Sequence, residues 1–197
     1  MAGGEGIMNI SIYWSEVTTS LIGLFILIFI FIKLKPGRIL FEWGALKKDN
    51  ILVKREYWRY ITAPFFHTRF VHLLGNIIGL YYAGLLLERK IGGIAFLAIF
   101  LIGNIIADVM FTFMFTFESS IGGSAGIYAL IGVILVLCFK DENFLRMNLN
   151  TEEMNILLTY FVAGNFVNLK GFDTLFVHVI GFISGIIISI VWVIICG

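Results

Sequence analysis

Gly122-Gly123-Ser124-Ala125-Gly126-Ile127-Tyr128-Ala129-Leu130, continued by apolar residues as far as Phe139, decides what kind of molecule this is. The run is uncharged over nearly the length of about 20 residues that a bilayer-crossing helix requires. Its first turn is different, because small residues surround a single serine. Inside lipid no hydrophobic force presses helices together, and close backbone approach at small residues supplies the packing instead. An apolar helix that opens in this way predicts a membrane helix shaped to touch other helices.

Five more segments read as apolar helices: 17–34, 70–87, 94–117, 154–169 and 174–195. The 154–169 segment is short, and Gly164 and Asn165 weaken it, which marks it as the place for a gate. The expectation is an all-α membrane protein, a bundle of six transmembrane helices. Composition agrees: 14% of the 197 residues are charged and 59% are hydrophobic, with 20 phenylalanines. A soluble domain carries about 25% charged residues. The net charge of +1 excludes nucleic acid as a partner, since that selects basic patches. The lipid bilayer is the surrounding medium.

Most connections are short, so successive helices are antiparallel neighbours. The 35–69 connection is long and holds aromatics with both signs of charge, among them Arg38, Trp43, Lys47, Lys48, Trp58 and Arg59. Trp and Tyr beside Lys and Arg suit the headgroup layer, so this first loop is expected to be structured and interfacial. Glycines four apart (Gly75 and Gly79, Gly122 and Gly126, Gly181 and Gly185) predict close helix contacts. The first and third segments have fewer such pairs and are expected further out. Residues 1–7 lack the basic start of a signal peptide and read as a disordered tail or cloning remnant; 8–197 read as one domain. Cys138 and Cys196 lie far apart in apolar runs and read as small buried hydrophobes. No metal, cofactor or disulfide is expected.

Polar residues at membrane depth are costly and often functional. Ser124 stands at a helix start, where unpaired N–H groups and a partial positive charge favour an oxyanion. Read alone, it could equally be an N-cap or a packing residue. His178 shares a helix face with Gly181 and Gly185, so close approach of this helix could bring the imidazole to a serine; it could equally be interhelical glue. Tyr128, one turn from Ser124, could stack on that imidazole. His72 and Asn76, four apart on one face, are two donors of the kind an oxyanion hole uses, or else a surface histidine and an interhelical amide.

Together and in this order, these elements resemble the rhomboid family from Trp58 to Gly185. They are Trp58-Arg59, His72-x-x-x-Asn76, Glu88-Arg89, Gly122-x-Ser124, and His178 followed by Gly181 and Gly185. The resemblance implies a six-helix rhomboid-like bundle and an intramembrane serine endopeptidase with a Ser124–His178 dyad. It also implies oxyanion stabilisation by His72, Asn76 and the Ser124 backbone N–H, and an inserted first loop in which Arg59 is structural. Substrates would be single-pass transmembrane proteins. Many members carry glycine after the nucleophile, where this chain has Ala125 and then Gly126.

Other readings weigh less. A zinc protease needs His-Glu-x-x-His, which His67 and His72 do not form. An aspartyl protease needs two intramembrane aspartates, and Asp108 stands alone; no catalytic role is expected for it. A transporter should show repeats and paired charges. A non-catalytic pseudoprotease binding transmembrane helices would need neither Ser124 nor His178. The resemblance implies a multi-pass cell-membrane protein with the first loop outside, whereas the Lys/Arg count at that loop points inward under the positive-inside rule.

Overall fold

The computed structural model describes residues 15–166 and 171–196. The tail at 1–7 and the end of the expected 154–169 segment lie outside the described residues. All regular structure in the described residues is helical. The helices are α1 (Glu16–Ile32), α2 (Gly37–Gly44), α3 (Lys48–Leu52), α4 (Arg59–Thr62), α5 (Phe70–Ile91), α6 (Gly93–Met114), α7 (Ser124–Lys140), α8 (Glu142–Asn148), α9 (Glu152–Phe166) and α10 (Phe172–Cys196). Three of them, α5, α6 and α10, are long and apolar enough to cross a membrane, and α7 with α8 makes a fourth if that pair, bent by 115°, is one span. Helices lie in all six of the expected segments, but only three or four of them are full spans: α1, with 17 residues, is apolar but shorter than a full span, and α9 has 15 residues.

Each chain reversal has a local cause. Between α5 and α6 the backbone passes through Gly92 at φ +84°, where a side chain would be strained. At the end of α7 the charges of Lys140 and Asp141 stop the apolar run. Asp141 then caps α8, its Oδ1 accepting from Asn143 N at 3.0 Å and Phe144 N at 3.1 Å. The start of α1 is capped from a distance. The Glu88 carboxylate, near the end of α5, accepts from Val17 N and Thr18 N at 2.9 Å and from Thr18 Oγ1 at 2.6 Å. It satisfies donors that a helix start leaves unpaired.

The core forms where α1, α5, α6 and α7 meet, around Phe25, Leu80, Leu87, Phe96, Phe100, Ile127 and Leu130, all fully buried. Gly181 and Gly185 bring α10 onto α7: a Cβ at either would collide with the backbone of Ala125 or Ala129. The glycine pattern misjudges α6. It sits inside the bundle against α7, because Gly103 lies on the Ala129 methyl and Gly126 lies on Asn104 and the Phe100 carbonyl. A single glycine facing an ordinary residue is enough, and spacing within one helix does not reveal it. Gly75 shows the converse error, with nothing within 4 Å of its Cβ direction.

The 35–69 connection is folded. Leu46, Ile51, Tyr60 and Ala63 pack with Ile105, Val109 and Phe117. Arg59, 3% exposed, donates to the carbonyls of Glu42 (2.8 Å) and Ala45 (2.7 Å) and pairs with Glu56. Trp43 and Trp58 stack with centroids 6.3 Å apart.

Candidate active site

Ser124 opens α7, so its N–H has no carbonyl one turn earlier in the helix to bond. The preceding loop is fastened to the 35–69 connection. Leu46 and Ser120 exchange backbone bonds of 3.1 and 2.9 Å, and Gly122 N donates to Ala63 O at 3.1 Å. Gly122 takes φ +111°, a left-handed conformation open to glycine. A Cβ there would lie 2.5 Å from His72 Cε1, 2.7 Å from its Nε2 and 3.5 Å from Asn76 Nδ2. The His72 and Asn76 donors therefore face the backbone two residues before the serine.

His178 Nε2 lies 3.0 Å from Ser124 Oγ. His178 is 5% exposed and Ser124 half-buried. The Gly181 and Gly185 contacts set this distance, since they seat the α10 backbone on the first two turns of α7. Tyr128 stacks on the imidazole, centroids 4.1 Å apart and planes 11° from parallel, and its hydroxyl donates to Phe161 O at 3.0 Å.

The structure brings together Ser124, His178, Tyr128, His72 and Asn76, with Gly122, Gly126, Gly181 and Gly185 as the points of close approach. Trp58 and Arg59 stand apart, in the 35–69 connection. Asp108 lies elsewhere on α6, beside Thr112 and Tyr60. Residues to which the sequence assigned no part in the site complete the arrangement. Asn165 Oδ1 lies 3.1 Å from His178 Nδ1. Tyr160 Oη donates to Asn76 Oδ1 at 3.4 Å. His67, fully buried, lies with Nε2 2.7 Å from Asn76 Nδ2. Burial, aided by the neighbouring His72, pushes the His67 imidazole down to about 3, so it is neutral and its Nε2 accepts from the amide. The signal for His67 was its place five residues before His72; Asn165 and Tyr160 carried none beyond being polar groups in a short helix.

Chemically, the arrangement offers a hydroxyl with a base in contact, a stacked ring against that base, and the side-chain nitrogens of His72 and Asn76 beside the backbone at Gly122. Residues 54–195 match the Rhomboid domain. Relatives include the Rhomboid protease GluP of Bacillus subtilis, 28% identical over 84% of this chain and 32% of that protein. The putative rhomboid protease YdcA of the same organism is 27% identical over 88% of this chain and 86% of that protein. The Inactive RHOMBOID-like protein 8 of Arabidopsis thaliana is 26% identical over 73% of this chain and 39% of that one. The chain spans less than half the length of the plant relatives it matches. With the domain match covering most of its length and the apolar helices described above, this integral membrane protein belongs to the rhomboid family.

Proposed function

We propose that the chain is an intramembrane serine endopeptidase that cleaves transmembrane segments of single-pass membrane proteins, and that α1, α5, α6, α7, α9 and α10 form one six-helix bundle in the bilayer. The observation that carries this reading is the 3.0 Å contact between Ser124 Oγ and His178 Nε2 in a family that includes proteases. The Ser124 oxygen attacks the scissile carbonyl; its proton passes to His178 Nε2, and the carbonyl electron pair moves onto oxygen. His72, Asn76 and the Ser124 N–H hold that oxyanion; losing one such donor typically costs ~3–4 kcal/mol of barrier. The intermediate collapses, the C–N bond breaks, and the amine leaves with the proton from His178. Water then repeats the sequence on the acyl-enzyme, and Ser124 recovers its proton. The substrate helix must unwind locally, because helical carbonyls are already hydrogen-bonded.

A relative named inactive favours one second reading, a pseudoprotease that binds transmembrane helices. Labelling of the detergent-solubilised protein with a fluorophosphonate serine probe separates the two. Labelling of the wild type, absent in Ser124→Ala and His178→Ala, is expected. A folded wild type that does not label refutes the protease reading.

A further inference from the structure

The contacts of Asn165 form a chain in which each link forces the next. Its Nδ2 donates to Phe161 O, one turn earlier on α9, at 2.8 Å. A carbonyl only accepts, so the amide nitrogen must face Phe161 and the amide oxygen must face His178. Oδ1 therefore accepts from His178 Nδ1, 3.1 Å away, which puts the ring proton on Nδ1. The Nε2 lone pair is then left for the Ser124 hydroxyl at 3.0 Å. Phe161 O also accepts the Tyr128 hydroxyl, and the Tyr128 ring covers the imidazole face. One carbonyl of α9 thus fixes both groups that restrain the base. Gly164 makes the docking possible, since a Cβ there would lie 2.5 Å from Tyr128 Oη.

We propose that Asn165 is a positioning residue for this site, holding His178 in the tautomer and rotation that present Nε2 to Ser124. The inference rests on the protease reading and deepens it. It assigns the third position of the catalytic array to a neutral amide on α9. As the imidazole takes the serine proton, the Nδ1–H bond to Asn165 becomes charge-assisted and strengthens, so Asn165 favours the transition state over the resting state. The last turn of α9 must stay docked while the proton moves, which confines any gating motion of α9 to its earlier turns.

The test measures fluorophosphonate labelling kinetics of the whole chain in detergent across pH, with ¹⁵N spectra of histidine-labelled protein as a readout independent of activity. The chain has three histidines, and the His178 signal is the one missing from His178→Gln. The wild type should show an Nδ1–H tautomer at His178. Asn165→Ala should lower the limiting labelling rate by about 10- to 100-fold, part of the 100- to 10,000-fold that a positioned base contributes, with half-saturation little changed. Asn165→Asp keeps the acceptor and should recover the rate, with the acidic limb of its profile moved to higher pH. An Nε2–H tautomer in the wild type, or an Asn165→Ala rate equal to wild type, overturns the proposal. A wild type that does not label refutes the protease reading instead, and the tautomer still decides the role of Asn165.

Discussion

Lowering the pH from about 8 to about 5 should destabilise the wild type by ~2 kcal/mol more than it destabilises His67→Gln, through the linkage of proton binding to folding. His67 is fully buried between the rings of Phe25 (4.8 Å) and His72 (5.0 Å), and its folded-state value is about 3 against an ordinary 6.5. A group whose folded value is depressed gives stability that is complete above the unfolded value and is lost as pH falls toward the folded one. The window therefore runs from about pH 6.5 down to about pH 3, at ~1.4 kcal/mol per pH unit in its interior. Glutamine keeps an acceptor for the Asn76 amide but does not titrate. Glu42, Glu56 and Asp141, held below the usual carboxylate range by Lys47, by Asn50 and Arg59, and by Lys90, are common to both proteins, as are His72 and His178, so their titration cancels in the comparison. The assay is detergent-driven unfolding followed by tryptophan fluorescence at both pH values. Equal pH dependence in the two proteins would show that His67 is protonatable where it stands, and the reasoning would fail.

The remaining predictions concern packing and the site. Gly185→Val should cost about 1–3 kcal/mol from overpacking and abolish fluorophosphonate labelling, because its Cβ meets the Ala129 backbone and parts α10 from α7. Gly75→Ala, with open space at its Cβ, should instead be neutral or raise stability by up to ~1 kcal/mol through helix propensity; thermal unfolding of both variants checks the contrast. Glu88→Ala removes the acceptor of three bonds at the start of α1 and should lower stability by roughly 3 kcal/mol, measured by detergent unfolding. Asp108→Asn should label at the wild-type rate, since Asn165 and Ser124 occupy the two His178 nitrogens; loss of labelling in a folded variant would place Asp108 in the machinery.

The helices were legible because long uncharged runs have one low-energy conformation in lipid, a helix that satisfies its own backbone. Their arrangement was less so. Spaced glycines pointed correctly to the α7–α10 contact but not to α6, whose contacts with α7 pair a glycine on one helix with an alanine or asparagine on the other. The bend into α8 was not read either, although Lys140-Asp141 ends the apolar run. At the site, Ser124, His178, His72, Asn76 and Tyr128 stood out as polar or aromatic groups at helix positions that could meet. Which of them touch depends on how α5, α7, α9 and α10 sit side by side, and no spacing within one helix encodes that.

Asn165 shows why the proposed orienting partner of His178 was the hardest part of the site to read. A search for an orienting partner looks first for a carboxylate, and Asp108 is the intramembrane candidate in the sequence. An ionised carboxylate at membrane depth carries a desolvation cost of several kcal/mol unless it is fully paired, and a neutral imidazole would offer it no opposite charge to pair with. An amide avoids that cost. It is polar enough to fix a ring proton, and on α9 its own nitrogen is satisfied by the carbonyl one turn back. The same economy makes it invisible, because an asparagine on a short apolar helix has the sequence signature of ordinary interhelical glue. If Asn165→Asp recovers the rate only with a displaced pH limb, the site tolerates a charge at this position but does not need one.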